Sequence, residues 1–437
     1  MYPTVLLTNT SWWPCAARMA MVFEKLGCSV SAVCPTAGHP LLKTKAVRRI
    51  LPYSAINPVS SLISAIEAVD PDIVIPCDDR AVEHLHELHA RCQGVSPNIS
   101  SLIERSLGSP ASYPVVSARY KLMKVAGEEG IRIAPTRLVR TVEDLSSWHK
   151  DLPFPWVLKA DGTWGGHGVR IARNRREAET FFLEMSRPLG VARFAKRLIV
   201  NRDPFWVRSW WDRSRAAVTA QPYITGRPAN CAVACWEGKV LAGTAVEVIS
   251  AQGLTGSATI VRVVDGSEMM LAAERLAQRL GLSGFFGLDF MIEDGSGAPY
   301  LIEMNPRCTP LCNLQLGEGR DMIAALSAQL SGKPLKASPS ATQNDVIAYF
   351  PQSWHWDRKS KLLESSFHDV PWEEPDLVRE LLLLPWPDRN VLARLANRFR
   401  RTTFEERAAS NGGVFAGAIS KPNAREDRGY ANQSRRA

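Results

Sequence analysis

The sequence predicts an α/β chain that continues into an α+β region. Three observations carry that prediction. Short apolar strands alternate with amphipathic helices through residues 1–110, a run of strands fills residues 216–264, and a long hairpin occupies residues 285–305. Strand–helix alternation implies a parallel sheet with helices on its faces. Strands joined by short turns pair antiparallel.

The elements follow in order. Residues 5–8 read as a strand, 15–26 as a helix stopped by Gly27, 29–34 as a strand, 61–69 as a helix, 71–76 as a strand and 80–89 as a helix. Asp78-Asp79 falls just past the carboxyl end of a strand, where open α/β sheets bind ligands. Capping of the next helix is the other reading of this pair, and both stand open. A second unit starts near Ser117. Its helix over 118–129 ends at Gly130, a strand surrounds 137–139, and a helix over 141–150 opens with Thr141 and Asp144 spaced as in a capping box. Strands at 155–160 and 169–172 flank Gly162-Thr163-Trp164-Gly165-Gly166-His167-Gly168. A glycine-rich hairpin tip exposes backbone N–H groups that suit phosphate oxygens, and Lys159 ends the strand leading into it. No GKS or GKT follows, and no helix follows directly, so the loop is neither a Walker loop nor a dinucleotide-binding turn. Residues 193–215 interleave arginines with Phe205, Trp206, Trp210 and Trp211. Inward packing of an amphipathic segment explains them better than a nucleic-acid stacking surface. Strands at 216–223, 230–236, 239–248 and 258–264 precede a helix at 268–280 ended by Gly281, and another helix covers 321–330.

The hairpin carries the most chemistry. Residues 285–293 and 300–305 are apolar strands separated by Asp294-Gly295-Ser296-Gly297-Ala298-Pro299. Folding about Ser296 sets Asp289 opposite Glu303. Directly opposed side chains sit about 4.5–5.5 Å apart, where like charges repel. A hard divalent cation between them relieves that repulsion, since Mg²⁺ takes carboxylate oxygens and keeps other positions for water and phosphate. Asn305 adds a neutral oxygen on the same strand face.

Composition bounds the rest. The 437 residues are 45% hydrophobic and 22% charged, enough for several domains with their own cores. No apolar run reaches the roughly 18 residues of a membrane span, and the start reads as a strand rather than a signal peptide. Nine scattered cysteines read as free thiols in a reducing compartment, which makes the expected location cytoplasmic. Neither Cys231/Cys235 nor Cys308/Cys312 completes a zinc set, and His84, His86 and His89 lack a further ligand. Of the net charge of +9, much lies in residues 391–437, with ten Lys/Arg against four Asp/Glu. The folded body is therefore not expected to bind nucleic acid. The basic amphipathic stretch 391–401 reads as a docked helix, with peripheral membrane contact as its alternative. Residues 402–437 read as a disordered tail.

Lys121, Lys159, the glycine loop, Asp289, Glu303 and Asn305, in this order, resemble the ATP-grasp superfamily, most specifically through GLDF followed by YLIEMNPR. The resemblance implies a Rossmann-like domain at 1–112, a two-lobed ATP-grasp domain at 113–335, a C-terminal accessory segment at 336–401 and the tail at 402–437. It implies that Lys121 and Lys159 contact ATP, and that Gly162, Gly165, Gly166 and Gly168 belong to a lid over its phosphates. Gln221, Tyr223 and Ile224 would form the adenine hinge. Asp289, Glu303 and Asn305 would hold Mg²⁺ (Mn²⁺ is a possible substitute), with Arg307 beside the transferred phosphate. The hinge departs from the family pattern: Gly226 is followed by Arg227-Pro228 instead of an acid, which leaves the ribose contact to Asn230. The implied activity is an ATP-dependent ligase that activates a small-molecule carboxylate for attack by an amine. A peptide or protein ligase, a membrane-peripheral ligase of envelope metabolism and a non-catalytic ATP-binding module are the alternatives.

Overall fold

Strands β1 (Thr4–Thr8), β2 (Ser29–Cys34), β3 (Arg49–Pro52) and β4 (Ile73–Pro76) form a parallel sheet in the order β3-β2-β1-β4. The computed structural model describes residues 2–148, 152–162, 168–187, 217–253, 255–334 and 339–389. Helices α1 (Pro14–Lys25), α2 (Pro58–Val69), α3 (Asp79–Cys92) and α4 (Pro97–Leu107) accompany this sheet. Three of them, α1, α2 and α4, begin with proline at the first helical turn, where the missing N–H costs nothing. The parallel sheet agrees with the expected Rossmann-like start. Helix α4 and strand β3 were not anticipated. The first is broken up by serines (PNISSLIERSL), and the second is a four-residue, largely exposed edge strand.

A four-stranded antiparallel sheet follows, ordered β5 (Arg137–Val139), β8 (Val218–Pro222), β6 (Trp156–Ala160), β7 (Val169–Ala172). The helix Val142–Trp148 begins with the expected reciprocal cap: Thr141 N–H donates to Asp144 (3.0 Å), and Asp144 N–H donates to the Thr141 hydroxyl (3.4 Å). Trp156 is fully buried beneath this sheet, stacked on Phe154 at 4.1 Å and tilted against Trp148 at 4.7 Å, with its indole N–H on the Pro153 carbonyl. Trp156→Ala is expected to destabilise the protein by about 3–5 kcal/mol through loss of burial and a residual cavity. A urea-unfolding midpoint equal to wild type would contradict that packing role.

The largest sheet has seven strands, ordered β13 (Pro299–Asn305), β12 (Gly284–Glu293), β9 (Gly226–Trp236), β10 (Lys239–Ala251), β11 (Ala258–Val264), β14 (Val346–Ala348), β15 (Phe367–His368). Its faces obey strand alternation. In β9, Ala229, Cys231, Val233 and Cys235 face the helices Arg119–Glu128 and Ser267–Leu280, while Ala232 and Ala234 face α1 and the helix Met322–Ser331. Cys231 and Cys235 are therefore core residues of one face. The N-terminal unit packs on the other face, with Phe23 of α1 set edge-on to Phe285 of β12 at 6.3 Å. Residues 339–389 extend the sheet and fasten it to the N-terminal unit. Asp369 pairs with Arg18 (2.5 Å) and accepts from Asn313 (2.9 Å), and Glu374 accepts from Thr44 (3.1 Å) and from the Lys45 backbone (3.0 Å). Among the described residues, no helix is long and apolar enough to cross a membrane. The aromatic segment 193–215, the basic stretch 391–401 and the tail lie outside the described residues.

Candidate active site

The β12–β13 hairpin pairs Asp289 with Glu303, as the sequence predicts, but by a different route. Next to the turn, Ile292 faces Pro299, Met291 faces Tyr300 and Phe290 faces Leu301, a register one residue short of that pairing. The register then shifts: Ile302 has no partner in the ladder, and Asp289 meets Glu303 beyond this bulge. The Ile302 carbonyl accepts a hydrogen bond from Lys159 Nζ at 3.0 Å. Lys159 ends β6 in the neighbouring sheet, is 5% exposed, and so bridges the two sheets at the site.

The two acids are half-buried and carry opposite perturbations. Burial, and then the facing Glu303 carboxylate, push Asp289 up to about 6, against hydrogen bonds from Asn230 (2.6 Å) and Asn305 (3.2 Å). Burial also acts to raise Glu303, but Arg119 and Lys159 outweigh it and hold that carboxyl below its usual range. Burial lowers Lys159 to about 8, with Glu303 partly restoring it. The result is an ionised glutamate between two cations, facing an aspartate that resists ionisation. Two carboxylates and an asparagine, all oxygen donors in close opposition, fit a hard divalent cation such as Mg²⁺. Among the described residues, no group of three or more His, Cys, Asp or Glu could hold a metal, so substrate and water would complete the coordination.

Two further charged groups complete the centre. Arg119 Nη2 donates to Glu303 at 2.7 Å and Nη1 donates to Asp161 at 2.9 Å, linking the base of the glycine loop to the acid strand. Arg307 donates to Asn305 Oδ1 (3.2 Å), approaches Asp79 (3.0 Å) and lies 5.9 Å from the Trp13 ring centre. Asp79 comes from the carboxyl end of β4, and Trp13 from the segment after β1. In the order β3-β2-β1-β4 these strands border the topological switch point. Of the two readings of Asp78-Asp79, each residue takes one. Asp78 caps α3 through the Ala81 N–H and accepts from Asn9 and Thr10, while Asp79 turns to Arg307.

Sequence reasoning missed Arg119 and Asp161. Arg119 opens the helix Arg119–Glu128, whose inward face carries Leu122, Met123 and Ala126, so position 119 lies three and four residues before buried positions. Lys121 falls on the opposite face, is exposed, and makes no hydrogen bond or ion pair with the described residues. Helical periodicity applied from the first residue would have preferred Arg119. Asn230 faces Asp289 across β9 and β12 and donates to its carboxylate at 2.6 Å. Gln221 is buried and donates from its amide to Thr136 (2.7 Å), the Tyr223 N–H donates to the Pro155 carbonyl (2.9 Å), and Ile224 follows in the link to β9. Gly162 adopts φ +69° with open space where a Cβ would sit. Gly168 leads into β7, and Gly165 and Gly166 lie outside the described residues. The histidines of α3 have local partners: His84 meets Tyr53 (3.0 Å), His86 stacks on Tyr113 (4.1 Å) and His89 meets Glu104 (2.8 Å).

Residues 135–310 match the family model of the ATP-grasp domain. A carbamoyl phosphate synthase large chain from Xylella fastidiosa is 24% identical over 255 residues, covering 55% of this chain and 21% of that protein. The chain thus spans about a fifth of the length of the curated relatives it matches. The biotin carboxylase domain of Hydrogenobacter thermophilus 2-oxoglutarate carboxylase, solved with MgADP, ADP and bicarbonate, superposes with a TM-score of 0.55. It is 17% identical, with 78% of this chain and 72% of that one covered. An L-amino acid ligase from Bacillus licheniformis gives a TM-score of 0.52 at 14% identity, with 78% and 76% covered. At such identities these two likenesses are of fold. What the comparisons show of this chain is an ATP-grasp domain match over residues 135–310, the stretch that holds the paired acids of β12 and β13, within a fold like that of these two enzymes.

Proposed function

We propose that the protein is an ATP-dependent ligase that converts a small-molecule carboxylate to an acyl phosphate, which an amine then attacks to form a C–N bond. The observation that carries this reading is the opposed Asp289–Glu303 pair, with Lys159, Arg119 and Arg307 converging around it. Phosphoryl transfer needs positioning and charge neutralisation more than covalent participation by the protein. Asp289, Glu303 and Asn305 would hold Mg²⁺ or Mn²⁺, which when bound neutralises charge on the phosphate oxygens. Lys159, fixed by the Ile302 carbonyl, places its ammonium at the end of β6 facing the same space. Arg119 supplies the cation from its helix that sequence reasoning assigned to Lys121. Gln221, Tyr223 and Ile224 would take the adenine, and the glycine-rich segment that Gly162 opens would meet the phosphates. Arg307, held between Asn305 and Asp79, stands where the nucleotide side meets the switch-point crevice, which suits it to the carboxylate that takes the transferred phosphate. The names of two fold neighbours, an L-amino acid ligase and a biotin carboxylase domain bound to MgADP and bicarbonate, agree with this chemistry.

A screen of amino acids and small carboxylates, singly and in pairs, for ADP release tests it. ADP and an amide product should accumulate only when an acid and an amine are present together. Tight nucleotide binding with no pair raising ADP above background would point to the non-catalytic ATP-binding module instead.

A further inference from the structure

The charge of Arg119 is divided between two acids of different standing. Its side chain is 9% exposed, Nη2 donates to Glu303 at 2.7 Å and Nη1 donates to Asp161 at 2.9 Å. Its Nε is buried without a hydrogen-bond partner, and among the described residues these two carboxylates alone form ion pairs with the guanidinium. A desolvated charge depends on such partners, because losing them leaves it uncompensated. Glu303 has a second call on it, being the acid set opposite Asp289. Asp161 has none: its carboxylate pairs with Arg119 and with no other described side chain. Its backbone is fixed independently of the acid strand. Asp161 directly follows β6, and its N–H donates to the Ala217 carbonyl at 2.9 Å, one residue before Gly162 turns the chain at φ +69°.

We propose that Asp161 is a positioning residue that holds Arg119 in the site once Glu303 is engaged by a divalent cation. This rests on the reading of Asp289 and Glu303 as cation ligands. Without the cation, Glu303 and Asp161 both hold the guanidinium, and either covers the loss of the other. With it, the Glu303 charge is taken up, and two positive groups stand close enough to repel. Asp161 then supplies the counter-charge that keeps Arg119 directed at the phosphate side. Its rigid backbone anchor suits it to that task, since the Ala217 contact does not change with the state of Glu303. The role of Asp161 is therefore conditional on the metal, which separates it from an ordinary structural ion pair.

Calorimetric titration of the full-length protein with a non-hydrolysable ATP analogue, once in Mg²⁺ and once in EDTA, tests this without any turnover. In the wild type, Mg²⁺ should tighten binding. Asp161→Asn keeps the size and an acceptor oxygen and removes the charge. It should bind the analogue like the wild type in EDTA and about tenfold more weakly in Mg²⁺, the lower end of what a hydrogen bond to a charged group contributes. Arg119→Met should also bind more weakly, and adding Asp161→Asn to it should cost nothing more, because the acid acts through the arginine. An equal loss in Mg²⁺ and EDTA would make Asp161 a structural residue, and no loss in either would mean that Arg119 is held without it. Either result, or additive losses in the double variant, would overturn the proposal. A wild type whose affinity does not respond to Mg²⁺ would sink the metal reading first, and the proposal with it.

Discussion

Glu303→Ala is expected to lower Mg²⁺-dependent ATP turnover by at least about 10²–10³-fold, the usual cost of one preorganised stabilising group. Glu303 is where the charges of the site meet: it faces Asp289, accepts from Arg119 and is held ionised by Arg119 and Lys159. Its removal deletes one of two carboxylate donors and leaves Arg119 paired with Asp161 alone. The side chain is half-buried at the sheet edge, so the alanine variant should fold, as circular dichroism and a thermal scan would report. ADP release by the variant at the wild-type rate, in folded protein, would remove the central element of the proposed function.

Lys159→Met should weaken a non-hydrolysable ATP analogue by about 1.5–3 kcal/mol, the range for a hydrogen bond to a charged group, or roughly 10–150-fold in Kd. Methionine keeps the length of the buried stem while removing the ammonium. A second readout comes from titration. Burial lowers Lys159 from 10.5 to about 8, so its charge is lost as pH passes that value. Nucleotide affinity of the wild type should therefore fall between pH 7 and 9, and that of the variant should stay flat. For stability the sign is opposite. The folded value lies below the unfolded one, so the destabilisation from burying the ammonium is full below about 8 and fades as pH rises toward 10.5. Calorimetric titrations in which both proteins show the same pH slope would assign that slope to other groups.

The elements that sequence located best are those bounded by strong punctuation. The strands Ser29–Cys34, Arg137–Val139, Val169–Ala172 and Ala258–Val264 stand where their apolar runs predicted them. Short edge strands such as Arg49–Pro52 and Phe367–His368 lack that contrast, because an exposed edge needs no apolar alternation. At the site, the facing acids were legible because a hairpin is a local object. The choice between Arg119 and Lys121 was not, because it depends on where the helix begins and which way that face turns. The contact of Arg307 with Asp79 joins residues more than two hundred positions apart, and only the packing of the N-terminal unit onto the large sheet brings them together.

The bulge at Ile302 gives β13 two phases. On the turn side, Leu301 points into the core beneath the sheet opposite Phe290. Beyond the bulge, Met304 does so opposite Leu288, and the residue between, Glu303, faces the site with Asp289. Were Ile302 kept in an unbulged strand, alternation would put positions 301 and 303 on one face, a leucine and a glutamate with incompatible needs. The strand thus behaves as two joined rulers whose graduations are offset by one. Length changes in the 294–298 turn are absorbed on the first ruler, far from the acids. Loss of Ile302 itself would leave Leu301 opposite Phe290 and Glu303 opposite Asp289 in an unbroken ladder, so what that residue adds at the join is the carbonyl that holds Lys159.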